Sequence, residues 1–436
     1  MKIGFVSLGC SKNLVDTEMM IGLFKNNNYE IVNNPKDAEI ILINTCGFIE
    51  SAKEEGINTI LEMSEYKKNG KCRYIIVTGC LVQRYKKELE KALPEVDLFM
   101  SIDEYEDMWN KVEKTINVKE EKTTNCLDYM ERVVTTGNTT AYLKIAEGCS
   151  NRCTYCAIPY IRGPYISRKI EDILDEAKIL AKKGIKEIIV IAQDTTKYGI
   201  DIYGESKLVK LLSKLSEFKE FKWIRFLYAY PETITEELIE LVKNNPKICK
   251  YFDIPIQHIS NNVLKRMNRK SDSTSIRNLI SKIRREIPDV VIRTSLIVGF
   301  PGETEEDFSK LYEFVNEAKF DRLGTFMYSK EDGTPAARLK EQIHHMTKKS
   351  RYNKIMALQQ QISNEKLEKY INRKLDVLIE GKTFDGKYYI GRSEYDVPDM
   401  DGIVYIKNSK NAEIGSFVKC IITNTREYDL IADFEK

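Results

Sequence analysis

The sequence predicts an α/β protein in three parts: an N-terminal parallel α/β domain, a central partial (β/α) barrel and a small C-terminal all-β barrel. Two changes of pattern carry this. Short apolar strands alternate with helical stretches from Lys2 to about Ala92, and again from Ala141 to about Ala318. That alternation is the mark of parallel sheets flanked by helices. Beyond Glu368 the pattern turns to short strands at close spacing, which suits a small β-barrel. The expected boundaries are 1–118 for the first domain, 119–134 for a linker, 135–365 for the core and 366–436 for the last domain.

Length and composition agree. The 436 residues are enough for two or three domains, and 42% hydrophobic with 31% charged residues suits a globular chain. No apolar run approaches a membrane span, and the opening Met1–Ser7 stretch reads as a strand, not a signal peptide. A cytoplasmic protein with no membrane partner is expected. In a reducing compartment ten cysteines point to metal or catalysis before disulfides. A net charge of +2 gives no long-range basic field for nucleic acid.

In the first domain, strands are expected at Lys2–Ser7, Glu39–Asn44 and Tyr74–Thr78. Helices are expected over Val15–Lys25, about Glu50–Glu65 and Val82–Ala92. Cys10, Cys46 and Cys80 each lie just past one of these strands, and each has glycine beside it. In an open parallel sheet, ligands bind outside the carboxyl ends of the strands, so the three thiols are expected to meet at one edge. The plainer alternative is three buried structural cysteines. Cys72 and Cys126 fit no such pattern and are read as uninvolved thiols. Residues 101–140 read as polar and irregular, a connection between domains.

The core is expected to open with a strand at Tyr142–Glu147. Further strands follow at Glu187–Ala192, Trp223–Tyr228, Tyr251–Ile256, Val291–Val298 and Arg322–Tyr328, with helices between them. Directly after the first strand comes Gly148-Cys149-Ser150-Asn151-Arg152-Cys153-Thr154-Tyr155-Cys156. In a (β/α) barrel, function sits at the carboxyl ends of the strands. A structural zinc site or a complete ferredoxin cluster takes four protein ligands, and no fourth cysteine or histidine is near. Three ligands leave one position open for chemistry. A disulfide pair or an incomplete zinc knuckle is the alternative.

This C-x3-C-x-aromatic-C run resembles the signature of the radical S-adenosylmethionine (SAM) enzymes. The resemblance implies a 4Fe-4S cluster on Cys149, Cys153 and Cys156, with SAM chelated at the open iron and cleaved to a 5′-deoxyadenosyl radical, and Tyr155 near the adenine. Strand ends then become expected SAM contacts: Gln193 and Asp194, Gln257, Arg293 and Thr294, and Gly299 in the Gly299-Phe300-Pro301-Gly302 turn. His258 reads as structural, and His344 and His345 receive no role. Further, Gly9-Cys10-Ser11-Lys12-Asn13, Asn44-Thr45-Cys46-Gly47-Phe48 and Thr78-Gly79-Cys80-Leu81 look like the three cluster motifs of the radical SAM methylthiotransferase family. That resemblance implies a second, auxiliary 4Fe-4S cluster on Cys10, Cys46 and Cys80, which carries the sulfur to be inserted.

The last domain resembles a TRAM domain, an OB-like module that binds RNA in related enzymes. From Ile371 to Lys436, ten Lys and Arg stand against twelve Asp and Glu, a net of −2. RNA-binding barrels present a basic face. The acidic run Glu394, Asp396, Asp399 and Asp401 is therefore expected to dock a basic partner protein, against the plainer reading of a solvated turn. Gly391-Arg392-Ser393-Glu394-x-Asp396-x-Pro398 and Cys10-Ser11-Lys12-Asn13 also look like the branch of the family that modifies a ribosomal protein.

The reading is a two-cluster radical SAM methylthiotransferase. Its expected substrate is small-subunit ribosomal protein twelve, modified on the β-carbon of one aspartate, free or within the assembled subunit. Flavodoxin or ferredoxin is the expected type of electron donor, and the sulfur donor is left open. No catalytic side-chain acid or base is expected. The rivals are a transfer-RNA adenosine methylthiotransferase of the same architecture, a single-cluster radical SAM methylase, and a non-catalytic iron-sulfur protein that binds RNA or carries electrons.

Overall fold

A computed structural model describes residues 1–117 and 126–435. Val118, expected to end the first domain, and residues 119–125 of the expected linker lie outside the described residues, as does Lys436. The contacts divide the chain into two compact units. One comprises 1–183, 191–193 and 329–337; the other comprises 184–190, 194–328 and 338–436.

The first unit opens with a five-stranded parallel sheet in the order Glu30–Ile31, Lys2–Ser7, Ile40–Thr45, Tyr74–Gly79, Leu98–Met100. Ile40–Ile43 is buried without interruption, as a strand covered on both faces should be. One face packs Met20, Leu23 and Phe24 of the helix Ser11–Asn26 with Trp109 and Val112. The other packs Ile60, Met63, Leu81 and Val82.

Trp109 marks a correction. Residues 101–116 are not irregular: Met108–Ile116 is a helix, and Met108, Trp109, Val112 and Ile116 line its buried face. Spacings of one, four and eight residues put these side chains on one stripe, which the charged residues between them obscure. The segment after the undescribed stretch is also tied down. Arg132 is 1% exposed, and it donates to Glu18, to Glu176 at 2.8 Å and to the Tyr142 carbonyl. The unit continues through the strand Thr140–Lys144 and the cysteine loop to the helix Ile170–Lys182. Ile191 accepts from the Ile145 amide at 3.0 Å.

In the second unit, Glu187–Val190 pairs in parallel with Trp223–Phe226. Tyr251–Asp253, Val291–Val298 and Arg322–Met327 form a second parallel sheet in that order. A bridge between Ile224 and Ile248 continues the ladder beside Trp223–Phe226. Helices Leu208–Ser216, Glu236–Asn244, Ser273–Glu286 and Glu305–Ala318 alternate with these strands. The long helix His345–Glu368 buries Ile355, Leu358 and Ile362 and leads into five strands. Lys374–Lys382, Tyr388–Ser393, Val404–Lys407, Leu430–Phe434 and Phe417–Thr425 close into a barrel in that order around Val377, Ile379, Tyr389 and Ile422. Closure removes the sheet edge that a small domain would otherwise expose.

Candidate iron–sulfur and SAM site

Both cysteine triads lie in the first unit. Cys10 follows Lys2–Ser7, Cys46 follows Ile40–Thr45, and Cys80 opens the helix Cys80–Ala92 directly after Tyr74–Gly79. The three strands are neighbours in the sheet, so their ends share one edge. Two features hold the edge close. A Cβ on Gly9 would stand 2.6 Å from Cys46 Cβ and 3.0 Å from its Sγ. Gly79 takes φ +99°, and a Cβ there would meet Asn44 Oδ1 at 2.3 Å and the Thr45 carbonyl at 2.4 Å. Only glycine permits that approach.

Asn13 ties the loops together. Its Nδ2 donates to the carbonyls of Leu8 and Thr45, each at 3.0 Å, and its Oδ1 lies 3.6 Å from Cys80 Sγ.

The thiols feel one another. Burial pushes Cys80 up to about 12 against the pull of Arg162, and the negative forms of Cys10 and Cys46 push the same way. Burial also raises Cys46, with a further push from Cys10. Cys10 is exposed at the surface of its loop; desolvation by the surrounding loop raises its thiol, but Lys12, Arg162 and backbone amides outweigh it and bring it below the ordinary thiol value. Two thiols that resist ionisation beside one that favours it form a donor set that a cationic iron centre would satisfy. Among the described residues no three His, Cys, Asp or Glu side chains are grouped as a single metal ion would need. The donor chemistry and the glycine cradle fit a multi-iron centre, in which the ligands bind different irons.

The second triad is built by one loop. Cys149 and Cys153 are buried and Cys156 is half-buried, and none forms a disulfide. The Cys149 amide donates to the Gly163 carbonyl at 3.1 Å, and the Cys156 amide to the Cys153 carbonyl at 3.0 Å. Gly148 takes φ +69°, where a Cβ would stand 2.0 Å from the Pro164 carbonyl oxygen. Arg152 is left-handed at φ +51°, a strained conformation for a residue with a side chain. The Thr154 carbonyl accepts from Ala336 at 2.9 Å, which ties the segment 329–337 to this loop. The same segment is clamped at its other end. Arg84 donates to Glu331 at 2.9 Å and to the Gly47 carbonyl at 2.7 Å, and Tyr85 donates to Asp332 at 3.2 Å.

The expected SAM contacts divide. Tyr155 and Gln193 are half-buried in the first unit. The others lie in the second. Asp194 is fully buried and accepts from the Thr196 hydroxyl at 2.7 Å. Gln257 has φ +68°, with its backbone bridging Ser295 and Ile297. Gly299 has φ +72°, and its amide and that of Phe300 donate to the Glu303 carboxylate. Arg293 and Thr294 are committed elsewhere. Arg293 pairs with Asp253 at 2.8 Å, and the Thr294 hydroxyl donates to the Ile254 carbonyl at 2.8 Å. His258, fully buried, accepts the Ser260 amide at Nδ1 and points Nε2 at Glu303, 3.5 Å away.

The acidic run of the last barrel requires a correction. Asp396 is 2% exposed and pairs with Arg322 at 2.6 Å. Asp401, its side chain 1% exposed, accepts from the Tyr251 hydroxyl at 2.6 Å and lies 3.9 Å from both Arg293 and Arg322. Beside them, Arg392 binds Glu187 at 2.6 Å and Glu380 at 2.7 Å, and Arg225 donates to the Glu394 carbonyl at 2.8 Å. Buried carboxylates persist only with such partners. The run is thus an internal staple that fastens the small barrel to the strands of its own unit, and not a docking face. Only Asp399 is exposed, with Glu394 half-buried.

Two residues central to the first unit, Asn13 and Arg162, carried no assigned role in the sequence. Asn13 stands within the Gly9–Asn13 stretch beside Cys10, but no periodic signal marks a polar residue whose partners are far away in the chain.

Comparisons agree with this construction. The Radical SAM superfamily profile matches residues 143–315, Uncharacterized protein family UPF0004 matches 2–101, and the TRAM domain matches 371–434. A ribosomal protein uS12 methylthiotransferase RimO from Alkaliphilus oremlandii is 66% identical over 434 residues, covering 99% of each chain. The protein of the same name from Acetivibrio thermocellus is 51% identical, covering 99% of this chain and 98% of that one. Among solved structures, the radical SAM methyltransferase TsrM from Kitasatospora setae superposes with a TM-score of 0.59 at 11% identity, covering 82% of this chain and 89% of that chain. That likeness speaks for the fold alone. The chain belongs to the RimO family of radical SAM methylthiotransferases. Membership implies the use of SAM and of iron–sulfur chemistry. No helix among the described residues is long and apolar enough to cross a membrane.

Proposed function

We propose that the protein methylthiolates the β-carbon of an aspartate in ribosomal protein uS12. The observation that carries this is full-length similarity to uS12 methylthiotransferases, at 66% identity in the first case. Two complete cysteine triads in one unit supply the donor sets such a reaction calls for. Cys149, Cys153 and Cys156 would hold one 4Fe-4S cluster, and Cys10, Cys46 and Cys80 the auxiliary one. When bound, the two clusters and SAM supply one-electron chemistry and the sulfur for transfer. The chain's own groups bind, orient and exclude water. Tyr155, Gln193, Asp194, Gln257 and the Gly299 turn would position SAM. Arg293 and Thr294, committed to Asp253 and the Ile254 carbonyl, would act through the strand geometry they hold. Buried Lys144 and Arg162 balance the carboxylates of Asp16 and Glu147. No side-chain acid or base is assigned.

The substrate is a uS12 chain, free or in the assembled small subunit, and the reductant a flavodoxin or ferredoxin. The test is a competition assay on anaerobically reconstituted protein with SAM, sulfide and reductant, offered small ribosomal subunits and bulk transfer RNA together. Mass spectrometry should find the methylthio group on an aspartate peptide of uS12. Label on adenosine would overturn the substrate assignment and leave the chemistry standing.

A further inference from the structure

Arg162 belongs to neither triad, yet it touches the surroundings of both. Its side chain is 1% exposed. On one side it donates to Asp16 at 2.8 Å and to Asn13 Oδ1, and it reaches Cys80 Sγ at 3.6 Å. On the other it donates to Glu147 at 3.0 Å, two residues before Cys149. Through Asn13 the contact extends to Leu8 and Thr45, and so to the loops that carry Cys10 and Cys46. Lys144 runs beside it, joining Asp16 to Glu147. The two cations and two carboxylates balance, so the group is stable as a buried network.

Balance alone does not explain the geometry. A structural ion pair needs no sulfur, whereas here one guanidinium nitrogen is aimed at a thiol. Hydrogen bonds to ligand sulfurs and nearby charge set the potentials of iron–sulfur centres. We propose that Arg162 is a positioning residue that links the two iron–sulfur sites and raises the reduction potential of the one at Cys10, Cys46 and Cys80. This rests on the two-cluster reading above. A cation donating to Cys80 stabilises the more negative, reduced form of that centre. Held by Glu147 as well, it fixes the loop of the second triad against the first.

The test uses the full-length chain, reconstituted anaerobically, as wild type, Arg162→Gln and Arg162→Lys. Redox titration followed by electron paramagnetic resonance reads each centre, with Cys46→Ala in parallel to identify the auxiliary signal. In Arg162→Gln the auxiliary potential should shift downward while that of the Cys149 triad stays put. Arg162→Lys keeps the charge but loses the fork, so its shift should be smaller and of the same sign. The 5′-deoxyadenosine formed per methylthiolated product should rise severalfold in both. Iron-loaded variants with an unmoved auxiliary potential would overturn the proposal. Should Arg162→Gln fail to fold, Arg162→Lys decides by the same criterion. If Cys46→Ala removes no signal, the two-cluster reading fails and the role of Arg162 falls with it; if the signal is removed but Arg162→Gln leaves the potential unmoved, only the role of Arg162 fails.

Discussion

The two triads reach a similar donor set by opposite routes. Cys149, Cys153 and Cys156 sit in one loop whose shape is set locally, by the left-handed Gly148 and Arg152 and by the Cys149–Gly163 hydrogen bond. Cys10, Cys46 and Cys80 come from three strand ends, and only the order of the sheet and the Asn13 network make them neighbours. The first site depends on a few dihedral angles. The second depends on the fold of a whole domain. Damage should therefore be local and severe at the loop, and graded at the sheet edge.

Breaking the loop triad has the largest expected effect. Cys153→Ala should abolish both 5′-deoxyadenosine formation and methylthio product, read by liquid chromatography of the reaction mixture. Next comes the backbone that shapes the loop. Gly148→Ala places a methyl against the Pro164 carbonyl at positive φ, and strain with displacement should cost about 3 kcal/mol or more. Gly163→Ala is the matched control: φ is also positive, at +72°, but nothing lies within 4 Å of the new Cβ. It should cost about 1–2 kcal/mol and leave iron loading intact. Chemical denaturation and iron content of the two variants check the contrast.

At the sheet edge the effects should be smaller. Asn13→Ala strands the Leu8 and Thr45 carbonyls without their donor, at about 1–3 kcal/mol. Iron bound by the auxiliary triad should fall while SAM cleavage persists; equal loss at both triads would show that the two sites are not built independently.

The smallest effect is in acid. At Glu104 burial raises the carboxyl, but Lys86, the Ser101 amide and hydroxyl, and Lys111 prevail and hold it at about 2. Lys86 belongs to the helix that Cys80 opens, so this pair braces the auxiliary side. The folded value lies below the unfolded one near 4.5. Its contribution is therefore full above that value and fades as pH falls toward 2. Thermal melts from pH 5 to pH 2.5 should show Glu104→Gln losing less stability on acidification than wild type.

The same contrast explains what could be read from the sequence. The loop that carries Cys149, Cys153 and Cys156 was legible because the three cysteines and their spacing are contiguous. The sheet-edge triad was legible at one remove, since strand–helix alternation places Cys10, Cys46 and Cys80 at equivalent strand ends. Asn13 and Arg162 were not, because their partners are distant in sequence and one buried polar residue carries no period. The helix Met108–Ile116 was hidden by charges on its outer face. The run from Glu394 to Asp401 misled for a related reason. Acidic residues around a proline look solvated until the arginines that bury Asp396 and Asp401, Arg322 and Arg293, are brought in from another part of the chain.

The central claim is that the triads hold separate centres with separate tasks. The most direct test is Cys46→Ala, reconstituted with iron and sulfide and assayed with SAM, reductant and small ribosomal subunits. The account predicts about half the iron of the wild type, four atoms of roughly eight for two 4Fe-4S clusters. It also predicts continued 5′-deoxyadenosine formation and no methylthiolated uS12 peptide. Methylthiolated product from this variant would contradict it.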